Sequence, residues 1–158
     1  MRQNIYEFLK SVNDAKSKAE RVRMLQSYDV RPVKNILAMN FDKNIEFDLP
    51  EGAPPFKRDT NEPMGMSNTD LFNEGRRLAR CLKTDPIDKL RKEAMFIQIL
   101  EGLHYTEADL VVAAKDKNLH SMFPNIDREI VRKAFPTLLT DMKPNQYTKD
   151  QERFQKDD

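Results

Sequence analysis

The residues able to do chemistry are few, and they are scattered. The two histidines, His104 and His120, fall on different predicted elements, with no cysteine and no tight carboxylate cluster near either in sequence. A zinc site or a catalytic base needs partners that this spacing does not assemble. His104 follows Gly102 closely, where a helix C-terminus favours a cation, so a structural role is expected for it. Cys81 is the only cysteine, which excludes an intrachain disulfide and a cysteine zinc site. It adjoins Leu82 on a predicted helix, and a buried inert thiol is the default. No Gly-x-Ser-x-Gly elbow, Walker-type loop or dinucleotide fingerprint is present. The carboxylates are spaced like ordinary helix faces. Glu93, within the most apolar predicted helix, is the exception, expected at the edge of the apolar arc and paired with a Lys or Arg. The chain is therefore expected not to be an enzyme, and no cofactor or metal is called for.

Two segments have binding rather than catalytic character. Residues 76–92 hold Arg76, Arg77, Arg80, Lys83, Lys89, Arg91 and Lys92 against Asp85 and Asp88, a local excess of +5. On a continuous helix Arg76, Arg80 and Lys83 share a face, and such a stripe can track phosphates. It lacks interleaved aromatics and a helix-turn-helix pattern, so a solvated face is the commoner reading. The second segment is an arm. Ile45, Phe47 and Leu49 alternate with polar residues, the period of a half-buried extended segment, and then Pro50, Pro54 and Pro55 stiffen the chain up to Phe56. Prolines lower the entropy lost on docking, which suits recognition of a protein partner. The bland reading is a connector crossing its own domain with Phe56 tucked in. One strand makes no sheet, so its backbone groups must face water, lie on a helix, join a small ribbon or pair with another chain. The expectation is that Ile45, Phe47, Leu49, Pro54, Pro55 and Phe56 reach a neighbouring subunit.

The elements that position these residues are helical. Ile5, Phe8, Leu9 and Val12 recur at helical spacing. Ser17 and Glu20 have the form of a capping box ahead of Ala19, Val22, Leu25 and Tyr28. Pro32 suits the first turn of a third helix with Val33, Ile36, Leu37 and Phe41 inside. A helix capped by Asn68 or Thr69 is predicted to carry Leu71, Phe72, Gly75, Leu78, Ala79 and Leu82 as one stripe. The next, over 86–102 with Pro86 in its first turn, is the most apolar and is expected to be the central core helix, burying Phe96, Ile97 and Leu100. Thr106 and Glu107 open another that runs to about Asn118, and a last one spans about 127–135. The predicted fold is all-α, six to seven short helices in a small bundle with one extended proline-containing arm. Its parts are an N-terminal helical region with a short extended segment (1–49), a proline-containing linker (50–67), a C-terminal helical bundle (68–140) and a charged tail (141–158), which alone is expected to be disordered.

Composition bounds the rest. The chain has 158 residues, 39% hydrophobic and 34% charged, enough for one domain with a core. Four glycines argue against a many-turned β fold. A net charge of +1 provides no global field for nucleic acid or an anionic membrane. No apolar run approaches the ~20 residues of a membrane span, so no membrane partner is expected. The opening residues Met1 to Asn4 lead into a charged amphipathic segment, which does not read as a signal peptide.

Four blocks in the same order carry a resemblance: 48–57 (DLPEGAPPFK), 93–110 (EAMFIQILEGLHYTEADL), 114–119 (AKDKNL) and 131–136 (VRKAFP). They resemble an uncharacterised family of small proteins encoded by T-even-like tailed phages, including those of marine cyanobacteria. The resemblance covers most of residues 5–136 and carries no site residues with it. It implies a phage origin. The expectation is a non-enzymatic interaction component of a tailed phage, a virion or virion-assembly protein, with other phage-encoded subunits as partners, located in the virion or the host cytoplasm. The alternative is an intracellular accessory factor that binds nucleic acid, or the replication or transcription machinery, through 76–92.

Overall fold

Short side chains with oxygen or nitrogen acceptors start most of the helices. The structure, a computed structural model, describes residues 3–142, so all but the first two residues of the predicted charged tail lie outside it. Helix α1 (Ile5–Asn13) is capped by Asn4, whose side chain accepts from the Glu7 amide. Helix α2 (Lys18–Ser27) is capped by Ser17, which accepts from the Glu20 amide. Glu20 reaches back to the Lys16 amide, one residue earlier than the capping box places it. Helix α3 (Arg31–Phe41) has Pro32 in its first turn, where the missing N–H costs nothing. After the arm come α4 (Gly75–Ala79), α5 (Lys89–Gly102), α6 (Tyr105–Lys115) and α7 (Arg128–Ala134), with 3-10 turns at Leu119–Ser121 and Thr140–Met142. Asp88 caps α5 and Asp127 caps α7 in the same manner. The protein is all-α: seven helices and no sheet among the described residues.

Three predicted elements are corrected. The helix expected from Asn68 or Thr69 through Leu82 shrinks to α4. At its start the Asn73 amide is taken by the carbonyl and side chain of Asp70, which makes a turn of 70–73. At its end Leu82 leaves the helix and pairs with Phe47 in an antiparallel bridge, with Asp48 N–H to Cys81 O and Lys83 N–H to Glu46 O both at 2.9 Å. The second correction is at α5, which starts at Lys89 rather than Pro86. Its buried face is Lys92, Phe96, Ile99 and Leu100, while Ile97 is half-buried and Leu90, assigned to the apolar arc from sequence, is 76% exposed. A lysine takes the inward position that Leu90 was expected to share. The third concerns the centre. Helix α6 touches α1, α3 and α5, whereas α5 touches α4 and α6. Thr106, Glu107, Ala108, Leu110, Val111, Ala114 and Lys115 are buried over rather more than half of the circumference of α6, and Tyr105, Asp109, Val112 and Ala113 on the remaining side are half-buried, so α6 has the widest inward face.

The helices before and after the arm share one core. Ile5, Leu9, Leu25, Val33 and Leu37 join Ile99, Leu110, Val111, Ile130 and Val131 in a single apolar cluster. Close approach matters at Gly102, where a Cβ would stand 2.9 Å from Cγ2 of Thr69. That contact is why the chain after the arm can donate from the Thr69 amide to the Gly102 carbonyl, at 3.0 Å.

Leu100 is 1% exposed in this cluster. Leu100→Ala should lower the unfolding free energy by about 2–5 kcal/mol in urea denaturation, the range for a cavity in a packed interior. Leu90→Ala, on the outer face of the same helix, should cost less than about 0.5 kcal/mol. Equal losses would show that α5 does not present this face inward.

Candidate functional site: the groove under the arm

The extended arm has no sheet to join, and lysines supply what a sheet would. The Lys117 ammonium donates to the carbonyls of Met39, Asp42 and Ile45 at 2.8, 2.9 and 2.8 Å. Lys115 donates to Pro50 O at 2.9 Å and to Asp116 at 2.5 Å, and the other oxygen of Asp116 accepts the Gly52 amide at 2.9 Å. Lys92 donates to Leu82 O and Asp85 O, both at 2.8 Å, and to the Asp48 carboxylate at 3.1 Å. Further along, the Lys57 amide bonds Glu101, and Arg58 pairs with Asp109 while stacking 5.0 Å from the Tyr105 ring. Burial pushes the Lys117 ammonium below its ordinary range, against the pull of Asp42, Glu46 and Asp141.

The arm expected to reach outward lies along its own bundle. Phe47 is 9% exposed and packs against Phe96 with ring centroids 6.4 Å apart. Ile45, Leu49 and Phe56 are half-buried against the same core. The arm is a strap over its own domain. Its alternation buries Phe47; its Ile45 and Pro50 carbonyls are met by the ammonium groups of Lys117 and Lys115, and its Glu46 carbonyl by the Lys83 amide.

The strap does not close completely. Between it and α5 lies a groove of about 390 Å³. Leu49, Pro50, Gly52, Pro54 and Pro55 form one wall, Glu93, Phe96 and Ile97 the other, with Lys115 alongside. Gly52 has φ of 87°, a left-handed conformation that lets the strap turn where a larger residue would be strained. The Lys115 ammonium lies 6.0 Å from the Phe96 ring and is committed to Pro50 and Asp116. Glu93 is half-buried, and no described residue forms the Lys or Arg pair expected for it from sequence. The groove thus offers apolar and proline surface with two carboxylates at its edge, Glu51 on the strap and Glu93 on α5. Such a surface can take an apolar side chain and a hydrogen-bond donor or cation beside it.

The other sequence candidates are dispersed. Of the basic cluster, Lys92 is buried at 1% exposure and cannot meet a phosphate. Arg77 pairs with Glu74 and Gln98, Arg80 with Asp85, and Lys83 with Glu46. Helix α4 stops at Ala79, so Lys83 is not on the face expected to carry Arg76 and Arg80. Arg76, Lys89 and Arg91 are exposed. His104 caps the start of α6 rather than facing the end of α5: its Nδ1 accepts from the Thr106 amide and its Nε2 contacts Glu62 O at 2.9 Å. His120 is exposed on the 3-10 turn. Burial pushes the Cys81 thiol up to about 11, outweighing Lys92 and Arg77 beside it, so this sulfur stays protonated and inert. Among the described residues no group of three or more His, Cys, Asp or Glu side chains is placed to hold a metal.

Sequence reading misses the buried roles of Lys92, placed in the basic cluster, of Glu107, placed in a first helical turn, and of Lys115. Glu107 accepts the Ile5 amide at 2.8 Å and the Leu71 amide at 3.4 Å, tying α1 and the end of the strap to α6, while burial raises its pKa. A signal was there. Lys92 stands four residues before Phe96, and Lys115 four after Val111, each in register with a buried stripe.

A family model matches residues 8–121, from within α1 through the strap, the groove and the whole of α6. The chain belongs to DUF6433, a family of unknown function. The matched span of DUF6433 contains every residue of the groove and ends before α7. No curated protein and no solved structure matches the chain. Among the described residues, no helix is long and apolar enough to cross a membrane.

Asp116→Ala removes the acceptor of the Gly52 amide and the anion beside Lys115. The variant should lose about 1–3 kcal/mol, the penalty for stranding buried partners, and hydrogen exchange at Gly52 should speed up more than in the helices. Unchanged exchange at Gly52 would show that something else holds the strap.

Proposed function

We propose that this protein is a non-enzymatic protein-interaction component of a tailed phage, a virion or virion-assembly protein, working in the virion or the host cytoplasm. The observation that carries the interaction reading is the groove under the strap. It is preformed, largely apolar and walled by prolines, and its wall is pinned by Lys115 and Asp116. A rigid groove loses little entropy when a partner segment enters, which favours binding of a protein. The phage origin rests on the four sequence blocks, three of which (48–57, 93–110 and 114–119) meet at this groove.

A second reading, an intracellular phage accessory factor that binds nucleic acid or the replication or transcription machinery, keeps one observation in its favour. Arg76, Lys89 and Arg91 remain exposed on the 76–92 segment with no ion pair among the described residues.

Mass spectrometry of purified particles of the encoding phage should find the chain in stoichiometric amount. Ile97→Glu, which sets a third carboxylate beside Glu51 and Glu93 in the groove, should reduce its incorporation while leaving the melting temperature within a few degrees of the parent, about the shift expected of a partly exposed substitution. Absence from particles, together with DNA binding that weakens steeply as salt rises, would move the assignment to the second reading.

A further inference from the structure

Helices α2 and α7 are far apart in sequence and pack against each other. Each carries three cations against one carboxylate: Lys18, Arg21 and Arg23 with Glu20 on α2, and Arg128, Arg132 and Lys133 with Glu129 on α7; Arg128 is taken up by Asp141, and the cations at the contact are Lys18, Arg23 and Lys133. Along their contact runs a second groove, enclosing about 460 Å³. Its base is apolar, formed by Ala19, Val22 and the buried Ile130. Its rim is Lys18, Arg23 and Lys133, with Glu129 between them.

From this juxtaposition we propose that the α2–α7 groove docks an acidic amphipathic helical segment of a partner protein. The proposal goes beyond the function proposed above and involves none of the residues under the strap. Charge complementarity selects the occupant. Lys133 and Lys18 stand 3.0 and 3.9 Å from Glu129 and share that one carboxylate, so a net positive rim remains, and Arg23 has no ion partner among the described residues. A row of partner carboxylates along this rim gains from the surplus, and an apolar stripe on the same partner helix covers Val22 and Ile130. Helix-in-groove recognition uses this pairing of an apolar stripe with a complementary rim. Nucleic acid fits less well. The floor offers hydrocarbon rather than donors, and Glu129 would face the phosphates. A second copy meeting this groove about a two-fold axis would bring like charge to like charge.

The probe is a short fluorescein-labelled peptide with Leu at i, i+3, i+4 and i+7 and Glu at the outward positions, measured by fluorescence anisotropy against the full chain. Controls are a scramble of equal composition, the Lys-for-Glu counterpart and a duplex DNA oligonucleotide. The acidic amphipathic peptide should bind about tenfold or more tightly than each control. Arg23→Glu with Lys133→Glu, both exposed side chains, should weaken it by about tenfold or more while the melting curve stays near the parent's. Arg76→Glu with Arg91→Glu, on another face, should leave it unchanged. Equal binding of the scramble would overturn the proposal by reducing it to unspecific charge. Tighter binding of DNA, no binding of the acidic peptide, or indifference to the Arg23 and Lys133 reversals would each overturn it as well.

Discussion

Three ammonium groups hold together what no sheet holds. An extended segment beside a helical core leaves carbonyls facing inward, and an unpaired buried carbonyl costs on the order of 1–3 kcal/mol. Lys117, Lys115 and Lys92 meet the carbonyls of Met39, Asp42, Ile45, Pro50, Leu82 and Asp85 with at most two carboxylate contacts among them. An ammonium suits this task because it brings three donors on a flexible stem, so one side chain can gather strands of chain that run in different directions. The arrangement is reciprocal. The carbonyls solvate a charge that burial would otherwise disfavour, and the charge satisfies carbonyls turned toward the protein.

The end of α6 shows how strongly the fold depends on this. Lys117 has φ of 56°, a left-handed conformation that costs a non-glycine residue roughly 1–2 kcal/mol. The Asn118 amide bonds Ala113 O and the Lys117 amide bonds Ala114 O, the pattern in which glycine normally ends a helix. Glycine would relieve the backbone here. It would also remove the ammonium that closes over Met39, Asp42 and Ile45. A strained lysine persists because its side chain stabilises more than its backbone costs. The same turn sets Lys115 and Asp116 under Pro50 and Gly52, so the helix end, the strap and the groove are one construction.

Helix class and most of the core were legible from sequence because apolar spacing reports burial directly. Ile5, Phe8, Leu9 and Val12 on α1, and Phe96 and Leu100 on α5, lie where periodicity puts them. Periodicity fails where a polar side chain takes an inward place. It assigned Leu90 inward and gave no reason to bury Lys92, because a pattern of apolar letters cannot see that a lysine will find carbonyls from distant segments. The predicted helix over 68–82 failed for a related cause: the end of α4 is decided by Phe47, which lies far away in sequence and captures Leu82. The arm was recognised as extended and proline-stiffened. Its course over its own bundle is not legible locally, because partners of its backbone are the side chains of Lys115, Asp116 and Lys117, which no local pattern announces.

Charge shows the same divide between sequence and space. The window 76–92 is strongly basic as a string, yet Lys92 is inside and Arg77, Arg80 and Lys83 are matched by Glu74, Asp85 and Glu46. Glu46, and Asp48 that meets Lys92, come from the arm, outside any window drawn around the cluster. At α2 and α7 the opposite holds. Each helix is only modestly basic as a string, and neither stands out along the chain. Packing brings Lys18 and Arg23 of the one and Lys133 of the other to one rim, with Glu129 shared between Lys18 and Lys133. A field that acts on a partner is a sum over neighbours in space within roughly a Debye length, about 8–10 Å at physiological salt. Where the fold folds its own anions over a basic stretch, that sum is small. Where it lays two half-neutralised helices side by side, the sum grows, and the apolar floor between them turns a diffuse charge into a shaped surface.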